Sequence, residues 1–183
     1  ELHGKYDHSH VLASHDLGRT WHLGGIATRG TNEATIAQLP TGQVLLNARN
    51  LVKPGGVRVL QASVDGGGSW GEPWTALREP RNAWFSPSGC HGAMVATRRG
   101  ALFYTGPDTA GKARVNVSLS TSSDGGRSWS CLARLHDGPS AYTSMCRLPA
   151  TAAGSPTLGI LYAAGGPRDH YAKQIRFVRV RVR

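Results

Sequence analysis

Four side chains of the kinds that carry out chemistry stand at intervals of 16, 65 and 28 residues: Glu33, Arg49, Arg114 and Tyr142. A carboxylate can take up a proton, and a tyrosine hydroxyl becomes a nucleophile once a base removes its proton. Arginine presents a planar, permanently charged fork that suits a carboxylate ligand. Each type alone more often has a structural explanation, such as a solvated strand end, a half-buried loop tyrosine or an arginine lying over a sheet. Their combination within one fold is what would make a site.

The other reactive residues of the chain form no recognisable site. The three cysteines contain no CxxC pair, and the eight histidines lack the regularly spaced clusters that a zinc site needs. We therefore interpret the histidines as solvated loop residues and expect no zinc site. The formal net charge of +10 attracts anions. Part of this charge lies in residues 178–183, where arginine alternates with valine, and this alternation predicts a final strand with one solvated face. Without interleaved aromatic residues or a known module, nucleic acid is not an expected partner.

A repeated octapeptide indicates the elements that must position these residues. The pattern Ser-x-Asp-x-Gly-x-Ser/Thr-Trp occurs as SHDLGRTW (14–21), SVDGGGSW (63–70) and SSDGGRSW (122–129). Each copy follows a strand-like run, and no segment shows a sustained apolar period of 3.6 residues. In such a turn Asp accepts hydrogen bonds from the backbone, Gly allows a positive φ, and Trp packs into the neighbouring layer. The repeat therefore predicts a recurring strand–turn–strand unit, as in propellers and arrays.

These octapeptides resemble the Asp boxes of sialidases, which lie on the outer turns of a β-propeller. The segment TNEATIAQLPTGQVLLNARN (31–50) is similar to the sialidase segment in which a catalytic glutamate precedes a substrate arginine. ARVNVSLSTSSDGG (113–126) resembles the segment with a further substrate arginine, and DGPSAYTSM (137–145) resembles the loop with the nucleophilic tyrosine. The resemblance spans nearly the whole chain and keeps the family's order of residues.

The resemblance implies an all-β fold, the six-bladed β-propeller of sialidases, of which residues 1–183 would form a C-terminal part of about three to four blades. It implies an exo-α-sialidase that releases terminal α-linked sialic acid. Tyr142 would be the nucleophile and Glu33 its base, while Arg49, Arg114 and Asn32 would bind the substrate. A neutral phenol avoids the repulsion that a carboxylate nucleophile meets from the sugar's own carboxylate, and sialidases are an exception to the two-carboxylate scheme of glycosidases.

The resemblance also implies sialylated glycans as partners, carried on glycoproteins, gangliosides or oligosaccharides. It implies no cofactor, no metal and no nucleic acid. No apolar run approaches the length needed to cross a bilayer. The sequon that begins at Asn116 is compatible with a lysosomal or secreted location, which is our expectation.

The chain departs from the family pattern in three places. The 13 residues before the first octapeptide contain no arginine, so the family's third arginine, in an Arg-Ile-Pro-like context, is absent. The family's acid/base aspartate is absent as well. In GILYAAGG (159–166), Ala163 stands where a glutamate usually follows Leu-Tyr.

We therefore expect the C-terminal half of a sialidase, inactive on its own. Such a half would expose strand edges and an apolar blade face, and so be poorly soluble or oligomeric. The alternative is a sialidase-like propeller that has lost turnover and serves as a sialoglycan-binding module.

Overall fold

The computed structural model describes residues 8–52, 58–78, 83–84, 90–109, 113–149, 156–166, 170 and 173–182, and these residues are organised into β-strands joined by turns. The strands are β1 (His8–Ala13), β2 (His22–Arg29), β3 (Thr31–Gln38), β4 (Val44–Asn50), β5 (Arg58–Ser63), β6 (Trp74–Thr75), β7 (Leu77–Arg78), β8 (Ala83–Trp84), β9 (Ala93–Ala96), β10 (Leu102–Pro107), β11 (Val115–Ser122), β12 (Ser128–Leu148), β13 (Thr157–Ala164) and β14 (Gln174–Arg181).

The strands of the described ranges form three sheets, almost entirely from antiparallel neighbours in chain order. β1 pairs with β2, β3 to β6 form a four-stranded sheet in the order β3-β4-β5-β6, and β9 to β14 form the main path of an eight-stranded sheet. Strand β12 has 21 residues and joins two parts of that sheet: its first half pairs with β11 and its second half with β13. In the part of the chain that the structure describes, sequential antiparallel strands without helices confirm the all-β prediction. The number of blades stays a prediction.

Each octapeptide turn forms the hydrogen bonds that its sequence predicts. The turns lie between β1 and β2, between β5 and β6, and between β11 and β12. In the third, Asp124 accepts hydrogen bonds from the backbone amide and the hydroxyl of Ser128, at 3.0 and 2.6 Å. Gly126, with φ of 86°, donates its amide to the hydroxyl of Ser122 at 3.0 Å. Equivalent bonds around Asp16 and Asp65 make the same strand–turn–strand unit recur.

The tryptophans of the three turns do not all pack as the sequence predicts. Trp129 is fully buried and Trp70 is half-buried, with its ring N–H donating to the carbonyl of Gly25 at 3.1 Å. Trp21, however, is 61% exposed and donates only to the carbonyl of Gly18 within its own turn. The prediction of inward packing is therefore wrong for Trp21, because β1 and β2 form the first described sheet and its indole meets solvent instead of a neighbouring layer.

Three clusters of apolar side chains lie between successive groups of strands. Val11, Ala27 and Leu46 belong to the cluster between β1–β2 and the second sheet. A second cluster joins β3–β6 to β9–β12: Leu45, Leu60, Met94, Leu102, Tyr104 and Trp129 are among its members. A third joins β10 and β11 to β13 and the chain's end: Phe103, Val117, Leu119, Leu158, Ile160, Tyr162 and Val182 are among its members. Each group of strands is thus covered by the next, the arrangement that a stacked array of sheets requires.

Large apolar side chains are exposed on the first and last groups of strands. Leu12, Trp21, Leu23 and Ile26 are 60–65% exposed on or beside β1 and β2, and Leu161, Ile175 and Phe177 are 45–80% exposed on β13 and β14. These exposures agree with the expectation of an uncovered apolar face. Solubility and oligomeric state stay predictions.

The final strand follows the alternation that its sequence predicts. Arg179 and Arg181 are exposed, whereas Val178 and Val180 are half-buried and Val182 is buried. Arg183 lies outside the described residues. Within the described ranges no helix has the length and apolar character that a membrane span requires.

The third octapeptide turn is expected to make the stability of the protein sensitive to acid. Burial acts to raise the pKa of Asp124, but hydrogen bonds from Ser128, Ser122 and Arg127 outweigh it and leave that pKa below its ordinary value. A depressed carboxyl pKa stabilises the folded chain above the unfolded pKa, and this stabilisation is lost as pH falls through the folded pKa.

Asp124→Asn is therefore expected to lower the free energy of unfolding at pH 7 by about 1 kcal/mol after allowance for solvent screening, or about 2–4 °C in Tm. The difference should shrink as the pH is lowered from 5 towards 2. Thermal unfolding followed by circular dichroism measures it. Asp137→Asn is the control, because Asp137 is exposed and its ion pair with Arg134 lies on the surface. Equal Tm losses in both variants would contradict the prediction.

Candidate active site

Glu33 lies in a β-bulge of strand β3. Asn32 pairs with Arg49 and Thr35 pairs with Asn47, so three steps along β3 match two along β4 and one residue is extra. Glu33 has a φ of 42°, a left-handed conformation that is uncommon for a residue with a side chain. Bulges re-aim side chains and occur often beside active sites. Here the bulge takes the carboxylate out of the regular alternation of the strand.

Tyr142 occupies a second bulge, within strand β12. Ser140 pairs with Ala164 and Thr143 with Tyr162, which again leaves one extra residue on the strand that carries the tyrosine. The sequence predicts a loop over residues 137–145, and this prediction is wrong because the whole segment belongs to β12. The neighbouring hydroxyl of Thr143 donates to the carbonyl of Thr105 at 2.8 Å, which anchors the bulge to β10.

The two bulges bring the phenol and the carboxylate into contact. The hydroxyl of Tyr142 donates to Oε1 of Glu33 at 3.2 Å, across 109 residues of sequence. Oε2 of the same carboxylate accepts a hydrogen bond from a guanidinium nitrogen of Arg49 at 3.0 Å. The side chains of Arg49 and Glu33 are 29% and 25% exposed, and Tyr142 is 47% exposed. The group is therefore held together yet open to a ligand.

Arg114 completes the cluster by lying over the ring of the tyrosine. Its guanidinium carbon lies 5.6 Å from the centroid of the Tyr142 ring, the distance of a cation–π contact. Its backbone carbonyl accepts a hydrogen bond from the amide of Ser140 at 2.8 Å, so the segment that bears Arg114 is tied to the segment that bears Tyr142. The structure thus brings together the four residues that the sequence analysis singled out, while their roles stay predictions.

Asn32 lies directly opposite Arg49 in the β3–β4 pairing, at the edge of the bulge. Its side-chain oxygen is buried and has no hydrogen-bond partner among the described residues. An unpaired buried acceptor is costly, and a hydroxyl or amide of a ligand could satisfy it.

Two further residues contact the residues of this site and were not predicted from the sequence. Arg58 is fully buried at the start of β5, and the ring of His91 lies edge-on to the Tyr142 ring with centroids 6.5 Å apart. A charged residue at the head of the otherwise uncharged strand RVLQAS is a usable sequence signal for Arg58. Nothing in the local sequence of His91 indicates its position.

The site combines a hydroxyl, a base and two cations drawn from different strands. A carboxylate in contact with a phenol can take up its proton, which makes the phenol oxygen a nucleophile. Two guanidinium groups, one bonded to the carboxylate and one over the phenol ring, suit an anionic ligand, a carboxylate above all. The geometry therefore fits covalent catalysis on a negatively charged substrate.

Comparisons with known proteins agree with the fold. Residues 1–155 match the protein family described as "BNR repeat-like domain". Sialidase-2 of Cricetulus griseus is 30% identical over 176 residues, which cover 88% of this chain and 44% of that protein.

Solved sialidase structures superpose on most of the chain. The Hadza microbial sialidase Hz136 has a TM-score of 0.73 at 25% identity and covers 96% of this chain and 32% of its own. The Trypanosoma rangeli sialidase in complex with 2,3-difluorosialic acid, described as a covalent intermediate, has a TM-score of 0.63 at 16% identity, which shows likeness of fold. It covers 94% of this chain and 26% of its own. The chain thus spans less than half the length of these relatives.

Proposed function

Because the chain belongs to the BNR repeat-like domain family and resembles sialidases in sequence and in fold, we propose that it carries the nucleophile half of a sialidase active site. The reaction is the release of terminal α-linked sialic acid from a glycoconjugate. The observation that carries this proposal is the 3.2 Å hydrogen bond from Tyr142 to Glu33, which joins a phenol on one sheet to a carboxylate on another.

Tyr142 is the proposed nucleophile. Its oxygen attacks the anomeric carbon, the bond from that carbon to the aglycone oxygen breaks, and Glu33 takes the phenolic proton. The departing oxygen needs a proton from a separate acid, the role that the family gives to an aspartate not found in this sequence. Water then attacks the anomeric carbon and passes its proton to the separate acid's conjugate base, while the departing phenolate of Tyr142 takes its proton back from Glu33. The two displacements together retain the anomeric configuration.

Arg49 and Arg114 are the proposed ligands of the sugar's carboxylate, and Asn32 supports them by accepting a hydrogen bond from a sugar hydroxyl or amide. A planar guanidinium can donate two parallel hydrogen bonds to a carboxylate. The substrates we propose are sialylated glycoproteins, gangliosides and oligosaccharides, and the location a lysosomal or secreted one.

Covalent labelling by 2,3-difluorosialic acid tests the proposal directly. Fluoride leaves from the anomeric carbon without needing a proton donor, while the second fluorine slows attack by water on the adduct. The chain is therefore expected to gain the mass of one sugar adduct, measured on the intact protein and located on Tyr142 by peptide mapping. An unlabelled protein, or an adduct on another residue, would refute the assignment of the nucleophile.

We propose that residues 1–183 bind and label without turning over natural substrates, because the sequence lacks the family's acid/base aspartate and third arginine. Hydrolysis of a fluorogenic sialoside is expected to stay at the level of Tyr142→Phe. Turnover well above that control would overturn this point alone and leave the assignment of the nucleophile intact.

Arg114→Ala is expected to weaken the binding of sialic acid by about 10- to 100-fold, since a hydrogen bond to a charged group contributes about 1.5–3 kcal/mol. Calorimetric titration measures the Kd. The matched control is Arg127→Ala. Arg127 belongs to the third octapeptide turn, and its guanidinium carbon lies 5.5 Å from the centroid of the Trp74 ring. This substitution therefore removes the same kind of cation–π contact at a different place. If Arg127→Ala weakens binding equally, the effect is not one of the site.

A sialoglycan-binding module without turnover is the second candidate. Ala163, half-buried on β13, stands where the family usually has a glutamate, and this loss favours decay of the catalytic site. Binding of sialic acid without any adduct from 2,3-difluorosialic acid would support the module, and formation of the adduct would support the enzyme. Binding of DNA at physiological salt in place of sialic acid would contradict both candidates.

A further inference from the structure

Arg58 is a buried cation that contacts the backbone of Glu33 in the candidate site. The guanidinium Nε donates to the side-chain oxygen of Asn47 at 2.7 Å, and NH1 donates to the carbonyl of Cys90 at 3.0 Å. NH2 donates to the carbonyls of Asn47 and Glu33, at 3.0 and 3.3 Å. One side chain therefore ties together the bulge of β3, the neighbouring strand β4 and the segment that leads into His91.

Burying the Arg58 guanidinium destabilises the folded chain unless its N–H groups form hydrogen bonds. Arg58 has no exposed surface, and removing a guanidinium from water costs several kcal/mol that its hydrogen bonds must offset. The guanidinium carbon of Arg58 also lies 5.5 Å from the centroid of the Tyr104 ring. Burial raises the pKa of Tyr104 to about 12, so this phenol stays neutral. A hydrophobic side chain in its place would leave the carbonyls of Cys90, Glu33 and Asn47 without these donors, so the local structure depends on the hydrogen bonds of Arg58.

Among the acceptors of Arg58, the carbonyl of Glu33 connects this side chain to the candidate catalytic residues. Glu33 has a left-handed backbone conformation with a φ of 42°, and such a conformation persists only where the surroundings enforce it. The bond from Arg58 fixes the peptide plane that follows Glu33 and thus the direction in which the carboxylate leaves the strand. That direction is what places Oε1 against Tyr142 and Oε2 against Arg49.

We propose that Arg58 is a positioning residue, which acts through Glu33 by clamping the β3 bulge so that the carboxylate meets Tyr142. The role rests on the proposed function. It assigns to Arg58 no contact with the substrate. The prediction is that loss of the clamp slows the chemical step while sialic acid binding, which depends on Arg49 and Arg114, changes little.

Arg58→Lys is the principal test, because lysine keeps the charge but offers one nitrogen in place of three. Labelling by 2,3-difluorosialic acid is expected to slow by about 10- to 100-fold, the effect of a misplaced catalytic group. The Kd of sialic acid is expected to change by less than about threefold, whereas a general loss of structure would alter both. The control is Arg179→Lys on the exposed face of β14.

A double-mutant cycle with Glu33→Gln separates positioning from simple destabilisation. If Arg58 acts through Glu33, Arg58→Lys slows labelling in the wild-type background and has no further effect when Glu33 is already Gln. Additive effects would overturn the proposal.

Hydrogen exchange gives a readout that does not depend on activity. Peptides that cover 31–38 are expected to exchange at least about tenfold faster in Arg58→Lys, while those of β13 stay unchanged. Faster exchange in Arg58→Lys, together with a wild-type protein that never labels, would refute the proposed function and leave the clamp in place. Unchanged exchange would refute the clamp.

Asn47→Ala is the second variant, in case Arg58→Lys does not fold. It removes the side-chain acceptor of Nε but keeps the carbonyl acceptor and the buried cation. Labelling is expected to slow by about 3- to 10-fold with the same dependence on Glu33. Labelling at the wild-type rate in a folded Asn47→Ala protein would overturn the proposal.

Discussion

Tyr142→Phe is expected to be labelled by 2,3-difluorosialic acid at least about 10³-fold more slowly than the wild-type chain, with no adduct detectable by intact mass. The phenol oxygen is the atom that forms the bond to the anomeric carbon, and phenylalanine lacks it. The remaining ring still fills the bulge of β12 and can still lie beneath Arg114, so the fold and the binding of sialic acid are expected to persist.

Tyr162→Phe is the matched control for this experiment. Tyr162 is buried on β13 and its hydroxyl donates to the carbonyl of Leu135 at 3.3 Å, away from the contact of Tyr142 with Glu33. Its loss costs about 1 kcal/mol of stability and should leave the rate of labelling unchanged. If Tyr142→Phe keeps its adduct while Tyr162→Phe loses it, another residue is the nucleophile.

Glu33→Gln is expected to slow the labelling of Tyr142 by about 10²- to 10⁴-fold at pH 6, the usual contribution of a general base. The amide has the size of the carboxylate but cannot accept the phenolic proton, and it leaves Arg49 without its anionic partner. Stopped incubations followed by intact mass give the rate.

The pH dependence of this variant provides the sharper test. Free phenols ionise near pH 10, so hydroxide replaces the missing base as pH rises, and the rate of Glu33→Gln should increase up to about tenfold per pH unit. The wild-type rate should rise less, because its base is already present. Glu72→Gln is the control, since Glu72 is exposed and lies just after the second octapeptide turn. Parallel pH profiles for wild type and Glu33→Gln would contradict the role of the base.

Local sequence predicted the architecture well because it depends on short-range hydrogen bonds and on alternation. The octapeptide around Asp124 contains its own donors and acceptors, so its turn forms wherever two strands flank it. Trp21 shows the limit of this reasoning. Its turn is the same as that of Trp129, yet the burial of its indole depends on which layer stands beside it, and this is a property of the whole assembly of sheets.

The types and order of the site residues could be read from the sequence, but their geometry could not. Both Glu33 and Tyr142 sit in bulges, where one extra residue shifts the side chain from one face of the sheet to the other. Regular alternation cannot predict such a shift, because the position of the unpaired extra residue depends on the register with the partner strand. The interpretation of 137–145 as a loop failed for the same reason.

Composition, the three octapeptide turns and the family-like segments were enough to establish an all-β chain that resembles a sialidase and to identify Glu33, Arg49, Arg114 and Tyr142. The contact of a phenol with a carboxylate across 109 residues, and the buried Arg58 beneath it, arise only when separate sheets stack. The physical reason is that turns and strands are stabilised by neighbours in sequence, whereas a desolvated guanidinium and a strained bulge are stable only inside packing that the distant parts of the chain create together.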